Sequence, residues 1–189
     1  MASIERVYEM RRRHLIAALT GLLAPPARAE PDKPRGAPDV IYVPTPQRAV
    51  DAMLALAEVG PQDILYDLGS GDGRIPITAA LRHGARAVGL EINPRLVREA
   101  RAAAKAAGVT DRVRFREADL FRMSFREATV VTLYLLPELN LRLKSRLLAD
   151  LPPGARIVSY SFDMGDWPPE RTLHLPEGDL FLWRVPPKG

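Results

Sequence analysis

The stretch Asp67-Leu68-Gly69-Ser70-Gly71-Asp72-Gly73 limits what this chain can fold into more than any other part of it. It follows the apolar run Ile64-Leu65-Tyr66 and leads into Arg74-Ile75-Pro76-Ile77. An extended segment therefore ends in a carboxylate, turns through three glycines and opens a helix. Glycine has no Cβ and tolerates φ > 0, so the backbone of such a turn can come very close to a polar ligand. A dinucleotide site wants glycines at relative positions one, three and six, whereas here they fall at one, three and five, with Arg74 at six. The pattern D-x-G-x-G-x-G favours S-adenosylmethionine (SAM) over NAD, the plainer alternative being a tight turn without a ligand.

The acidic residues that follow decide between these. Ile75 to Leu81 reads as a helix and Ala85 to Leu90 as a short strand, with Glu91 at its end. A carboxylate at the tip of the second strand of a βαβ unit can accept hydrogen bonds from both ribose hydroxyls, which makes Glu91 the ribose candidate. Asn93 and Pro94 supply an N-cap and a first helical residue. Leu96, Val97, Ala100, Ala104 and Ala107 then share one helical face that stops at Gly108. Val113-Arg114-Phe115-Arg116 alternates as a strand, closed by Glu117-Ala118-Asp119-Leu120. Asp119 is placed to accept from an adenine amino group, and the Leu120 amide to donate to a ring nitrogen. Either acid alone would be read as a solvated charge or a helix cap; three acid-bearing strand ends in order favour a site.

From Tyr42 to about Trp183 the chain resembles the class I SAM-dependent methyltransferases, and within them a small family of protein-lysine methyltransferases. The animal members of that family modify the mitochondrial adenine nucleotide translocase and the ATP synthase c-subunit. The resemblance rests on Tyr42-Val43-Pro44-Thr45-Pro46, the glycine turn through Arg74-Ile75, Gly89-Leu90-Glu91-Ile92-Asn93-Pro94, and Phe115 with Asp119-Leu120. Ser161-Phe162 and Trp167-Pro168-Pro169 complete it. It implies an α/β Rossmann-like fold with a doubly wound seven-stranded sheet whose last strand is antiparallel. It also implies SAM as cofactor, held by Asp67, Gly69, Ser70, Gly71, Asp72 and Gly73 in the turn, by Glu91 and Ile92, and by Asp119 and Leu120. In the family the segment before the turn folds over the cofactor, so Tyr42, Pro44 and Thr45 are lid candidates. Read locally, the same residues simply start a helix over Pro46 to Val59, with Thr45 capping and Pro46 as its first residue.

Thr129 to Leu136 is almost continuously apolar, as in the buried fourth strand of a parallel sheet. Its end, Tyr134-Leu135-Leu136-Pro137-Glu138, faces the place of methyl transfer, so Tyr134 is both a cofactor-binding and a catalytic candidate. Methyltransferases acting on amide or base nitrogens often carry Asp/Asn-Pro-Pro-aromatic here; this chain does not, which argues against an adenine or glutamine substrate. Glu138 reads as a first-turn charge of a helix over Pro137 to Leu148 rather than as a base. Arg156 to Tyr160 is a fifth strand, and Thr172 to Leu175 with Leu180 to Val185 forms a hairpin across Pro176-Glu177-Gly178-Asp179. Trp167, in the segment after strand five, is the second catalytic candidate, as a wall for a lysine side chain or as a packing anchor.

At 189 residues and 47% apolar content the chain can bury one core. It has no cysteine, which excludes disulfides and thiolate chemistry. His14, His83 and His174 have no metal-ligand spacing, and no metal is expected. Arg11-Arg12-Arg13, the apolar stretch Leu15 to Ala24 and Ala27-Arg28-Ala29 have the three parts of an export signal. Residues 1–29 are thus expected to be a signal-like or anchoring leader, residues 30–44 a linker, and residues 45–189 the methyltransferase domain. The leader carries three of the four formal positive charges, so the basic pI does not by itself imply a nucleic-acid partner. Arg112, Arg114, Arg116, Arg122 and Arg126 read as a solvated face. The expectation is a monomeric SAM-dependent N-methyltransferase acting on a protein lysine, exported or held at a membrane by its leader, or else cytoplasmic. The alternatives are a small-amine or metabolite methyltransferase and a SAM-binding protein without turnover.

Overall fold

A computed structural model describes residues 42–188; the expected leader and most of the linker lie outside the described residues. In chain order the elements are α1 (Gln47–Leu56), β1 (Ile64–Leu68), α2 (Arg74–His83), β2 (Arg86–Glu91), α3 (Pro94–Ala106) and β3 (Val113–Glu117). A 3-10 turn (Leu120–Arg122), β4 (Val130–Leu133), α4 (Pro137–Asp150), β5 (Arg156–Tyr160), β6 (Arg171–Leu175) and β7 (Gly178–Arg184) follow. The strands form one sheet in the order β3-β2-β1-β4-β5-β7-β6, with β1 to β5 parallel and β7 antiparallel to both its neighbours. This is the expected doubly wound seven-stranded fold.

The crossovers set what covers each face. On one face Leu65, Ala87, Val113, Val130 and Val158 pack against Val50 and Met53 of α1, Ala79 of α2 and Val97 and Ala100 of α3. On the other, Leu68, Leu90, Val131, Leu133, Ile157 and Trp183 pack against Leu139, Leu143 and Leu147 of α4. The strand order turns back at β1 and β4, and a parallel sheet leaves its ligand crevice at the carboxyl ends there. The glycine turn after β1 and residues 134–136 after β4 flank that crevice.

Several expected boundaries shift, three of them for a visible reason. α1 starts at Gln47 with Pro46 as its N-cap residue, and no side chain caps it. Thr45 does not cap because it stands one residue before the N-cap position; it is buried there, and its carbonyl accepts from Arg74. β4 ends at Leu133 rather than Leu136, since Tyr134 to Leu136 leave the sheet to reach Pro137 at the first turn of α4. The β6–β7 turn is only Pro176-Glu177, because Gly178, with φ 147°, already pairs with Leu175. Asn93 caps α3 as expected, its side-chain oxygen accepting from the Arg95 amide at 2.9 Å.

Candidate active site

The crevice holds a cleft of about 570 Å³, within the size range of small-molecule sites. Its floor is the glycine turn. Gly69, Gly71 and Gly73 have φ of 81°, 53° and 84°, a left-handed run that side chains with a Cβ rarely adopt. A Cβ on Gly71 would lie 2.2 Å from Cε2 of Tyr42, so the bare backbone there is the seat on which the Tyr42 ring rests. Burial, and then the nearby Asp72 carboxylate, hold the Tyr42 phenol above its usual pKa.

Glu91 reaches back from the tip of β2 to fix this turn. Its Oε2 accepts from the Gly71 amide at 3.0 Å and its Oε1 from the Asn93 amide at 2.9 Å. Each oxygen keeps a lone pair for a further donor. Asp67 lies beneath, 3% exposed, with the Thr132 hydroxyl donating to it at 2.8 Å. Burial pushes its carboxyl up to about 7, the Thr132 hydrogen bond acts in the opposite sense, and the negative charges of Glu91 and Asp72 add to the rise.

At the far wall Asp119 accepts from the Phe121 amide at 2.9 Å. The Leu120 amide opens the 3-10 turn and so has no acceptor within it. Arg142 stacks 3.8 Å over the Phe121 ring, fixing this wall from α4. At the opposite end Tyr134 lies 4.8 Å from the Tyr160 ring, tilted, and 6.3 Å from the Phe162 ring, nearly parallel. A nucleoside with a charged tail fits these parts: a backbone floor without Cβ atoms, a lining carboxylate with spare lone pairs, and a free amide.

The ANTKMT methyltransferase domain family matches residues 67–171. A protein-lysine N-methyltransferase of Saccharolobus islandicus is 44% identical over 144 residues, 76% of this chain and 89% of that one. The chain belongs to this methyltransferase family. It is a SAM-dependent methyltransferase, and the mouse adenine nucleotide translocase lysine N-methyltransferase is 41% identical over 145 residues. That match takes in 76% of this chain but only 62% of the mouse protein's length. A solved structure described as an RNA methyltransferase from Salinibacter ruber, in complex with S-adenosyl-L-homocysteine (SAH), is 55% identical. It superposes with a TM-score of 0.76 over 77% of this chain and 95% of that one.

In this methyltransferase Tyr42, Thr45, Asp67, Gly69, Ser70, Asp72, Glu91, Ile92, Asp119, Leu120 and Tyr134 all line the one cleft. Tyr42 and Val43 do so although they fall in the stretch read as linker. Gly71 and Gly73 lie behind the lining; Gly73 is there to make room, since a Cβ would sit 2.4 Å from the Phe115 ring. Trp167 is not in the cleft. It packs on Trp183, with ring centres 6.0 Å apart, and its carbonyl accepts from the Trp183 indole at 2.8 Å. The chain after β5 turns to the α4 face of the sheet, so Trp167 is the packing anchor and Phe162 stands behind Tyr134 instead.

Arg74, Thr132, Phe121, Leu135 and Leu139 were not singled out by sequence reasoning, yet all line the cleft or hold a group that does. The Gly-Asp-Gly-Arg string was the only local sign of Arg74. Glu91 serves the fold as well as the cleft, and Glu91→Gln removes the charge but turns its NH2 toward either the Gly71 or the Asn93 amide, so a thermal melt accompanies the binding measurement. Calorimetry should find SAM affinity lowered roughly tenfold to a hundredfold in that variant, the value of a charge-assisted hydrogen bond.

Proposed function

We propose that this methyltransferase transfers the methyl group of SAM to the side-chain amine of a protein lysine. The observation that carries the proposal is the character of the cleft beyond Gly69: Tyr134, backed by Phe162, with Leu135 and Leu139, and no carboxylate among them. SAM supplies a methyl group on a sulfonium, and displacement there needs an in-line, desolvated nucleophile more than it needs a base. A lysine amine that has lost its proton to water is strong enough, and an apolar, aromatic wall strips its water. The relatives named above as lysine methyltransferases support the same reading.

The residues divide the remaining work. Glu91 would accept from the ribose hydroxyls with the lone pairs that Gly71 and Asn93 leave free. Asp119 would accept from the adenine amino group while the Leu120 amide donates to the ring. Asp67 would face the cationic tail, which its ionised form favours. Tyr42 and Thr45 would cover the bound cofactor.

A second reading, RNA as substrate, is favoured by the description of the Salinibacter ruber structure. Arg112, Arg114, Arg116, Arg122 and Arg126 are all exposed on this chain. Incubation with methyl-labelled SAM and a host lysate separates the two. Label in protein, recovered as methylated lysine after hydrolysis, supports the proposal. Label in nucleosides supports RNA, label in small molecules a metabolite enzyme, and SAM binding without label a protein that has lost turnover.

We further read the domain as a monomer brought to a membrane, or across it, by the leader expected over residues 1–29. Among the described residues no helix is long and apolar enough to cross a membrane. N-terminal sequencing of protein recovered from cells should find Glu30 if the leader is a cleaved signal. An intact leader on membrane-bound protein identifies a tether, and an intact leader on soluble cytoplasmic protein contradicts both.

A further inference from the structure

Arg74 joins two parts of the cleft that are far apart in sequence. Its Nε lies 3.0 and 3.2 Å from the two carboxylate oxygens of Asp72, and its Nη2 donates to Oδ2 at 2.6 Å. Its Nη1 donates to the Thr45 carbonyl at 2.8 Å. One guanidinium therefore holds the glycine turn with one edge and the segment before α1 with the other. A planar fork can do both at once, whereas the ammonium of a lysine is a single point charge.

The pair is built to persist. Burial tends to raise the Asp72 carboxyl, but the Arg74 hydrogen bonds and charge outweigh it and hold the group below its usual value. Asp72 also accepts from the Arg74 backbone amide at 3.2 Å, so it is fixed at the start of α2. Residues 42–45 are then pinned at two points, Tyr42 on Gly71 and Thr45 on Arg74, and Tyr42, Val43, Thr45, Asp72 and Arg74 all line the cleft. Beyond Thr45 the chain is anchored again, at Gln47, whose amide donates to the Thr78 hydroxyl at 3.3 Å.

We propose that Arg74 is a positioning residue, a clip that holds the segment 42–45 closed over the cofactor and so sets how fast cofactor and product exchange. It acts through that segment and not through the methyl group. The proposal rests on the cofactor reading of the cleft, and the following experiment separates the two.

The full-length protein and its R74Q, R74K and Y42A variants, with the R74Q/Y42A double variant, are compared in two ways. Exchange of the Gly71 amide, which Glu91 holds beneath the Tyr42 ring, is followed in the free protein as the report on opening of the segment, and SAH dissociation is followed by stopped flow. Loss of the clip in R74Q is expected to speed both, dissociation by roughly tenfold, as for loss of a charge-assisted hydrogen bond. R74K should recover only part of the change and also serves if R74Q fails to fold. Y42A and R74Q free the same segment, so the double variant should dissociate little faster than the faster single one. Unchanged exchange in R74Q, an unchanged dissociation rate, or effects of the two substitutions that simply multiply would each overturn the clip. Failure of the parent protein to bind SAH would defeat the cofactor reading instead, and exchange in the free protein would still decide the clip.

Discussion

Replacing Asp67 with Asn is expected to make the free protein more stable in mild alkali while weakening its hold on SAM. Burial pushes the Asp67 carboxyl of the folded chain up to about 7 from its ordinary value of 3.8, which the unfolded chain keeps. Between those limits the folded state binds more protons than the unfolded one, so stability falls as pH rises through the window and is level above it. The whole window corresponds to on the order of 4 kcal/mol, at one pKa unit per 1.36 kcal/mol. Asparagine has the same shape, can still accept from Thr132, and carries no such penalty. Thermal melts should therefore coincide at about pH 4 and separate at about pH 8, with the variant higher. SAM affinity should show the opposite: rising with pH through neutrality in the parent, where a cation draws the proton off Asp67, and lower and flat in the variant. Equal melting at the higher pH would mean that Asp67 ionises in the folded protein without cost.

Gly71→Val should abolish detectable SAM binding while the fold survives. Two costs coincide at this position. A β-branched residue at φ 53° is held in a region it strongly disfavours, and its Cβ falls 2.2 Å from the Tyr42 ring. The ring must leave its seat, and the amide that Glu91 holds at 3.0 Å must shift with the turn. The site loses its cover and its ribose anchor together. Gly71 is buried, but the atoms nearest a Cβ there all belong to the Tyr42 ring, which is part of neither core cluster, so circular dichroism should be near that of the parent protein. Gly71→Ala in a Tyr42→Ala background removes the clash but not the backbone strain, and should bind better than Gly71→Ala alone. If Gly71→Val binds SAM normally, Gly71 is not the seat of the lid.

What could be seen in the sequence is what local pattern encodes. The strand-turn-helix signal of residues 64–77, the cap at Asn93 and the alternation of residues 113–116 each depend on neighbours in the chain, and each stands where expected. Placing Glu91 and Asp119 in the cleft followed from the order of the strand ends. Other parts depend on contacts that no local pattern reports. Arg74 meets Thr45 across 29 residues and Thr132 meets Asp67 across 65, and nothing near either residue announces the partner. Trp167 shows the opposite failure: its position after β5 was legible, but which face of the sheet the following loop would take was not. Its indole neighbour Trp183, whose N–H needs an acceptor once buried, decided that face. No local pattern shows that Glu91 also holds Gly71 and Asn93, because those bonds exist only when the turn is closed.

The groups gathered around the glycine turn are expected to hold the cofactor with its reactive end toward Tyr134. A crystal structure of the full-length protein with SAH tests it most directly. The expected result has the ribose hydroxyls on Glu91, the adenine against Asp119 and the Leu120 amide, and the sulfur on the Tyr134 side of Gly69. SAH bound with its ribose away from Glu91, or with its sulfur turned from Tyr134, would contradict the account.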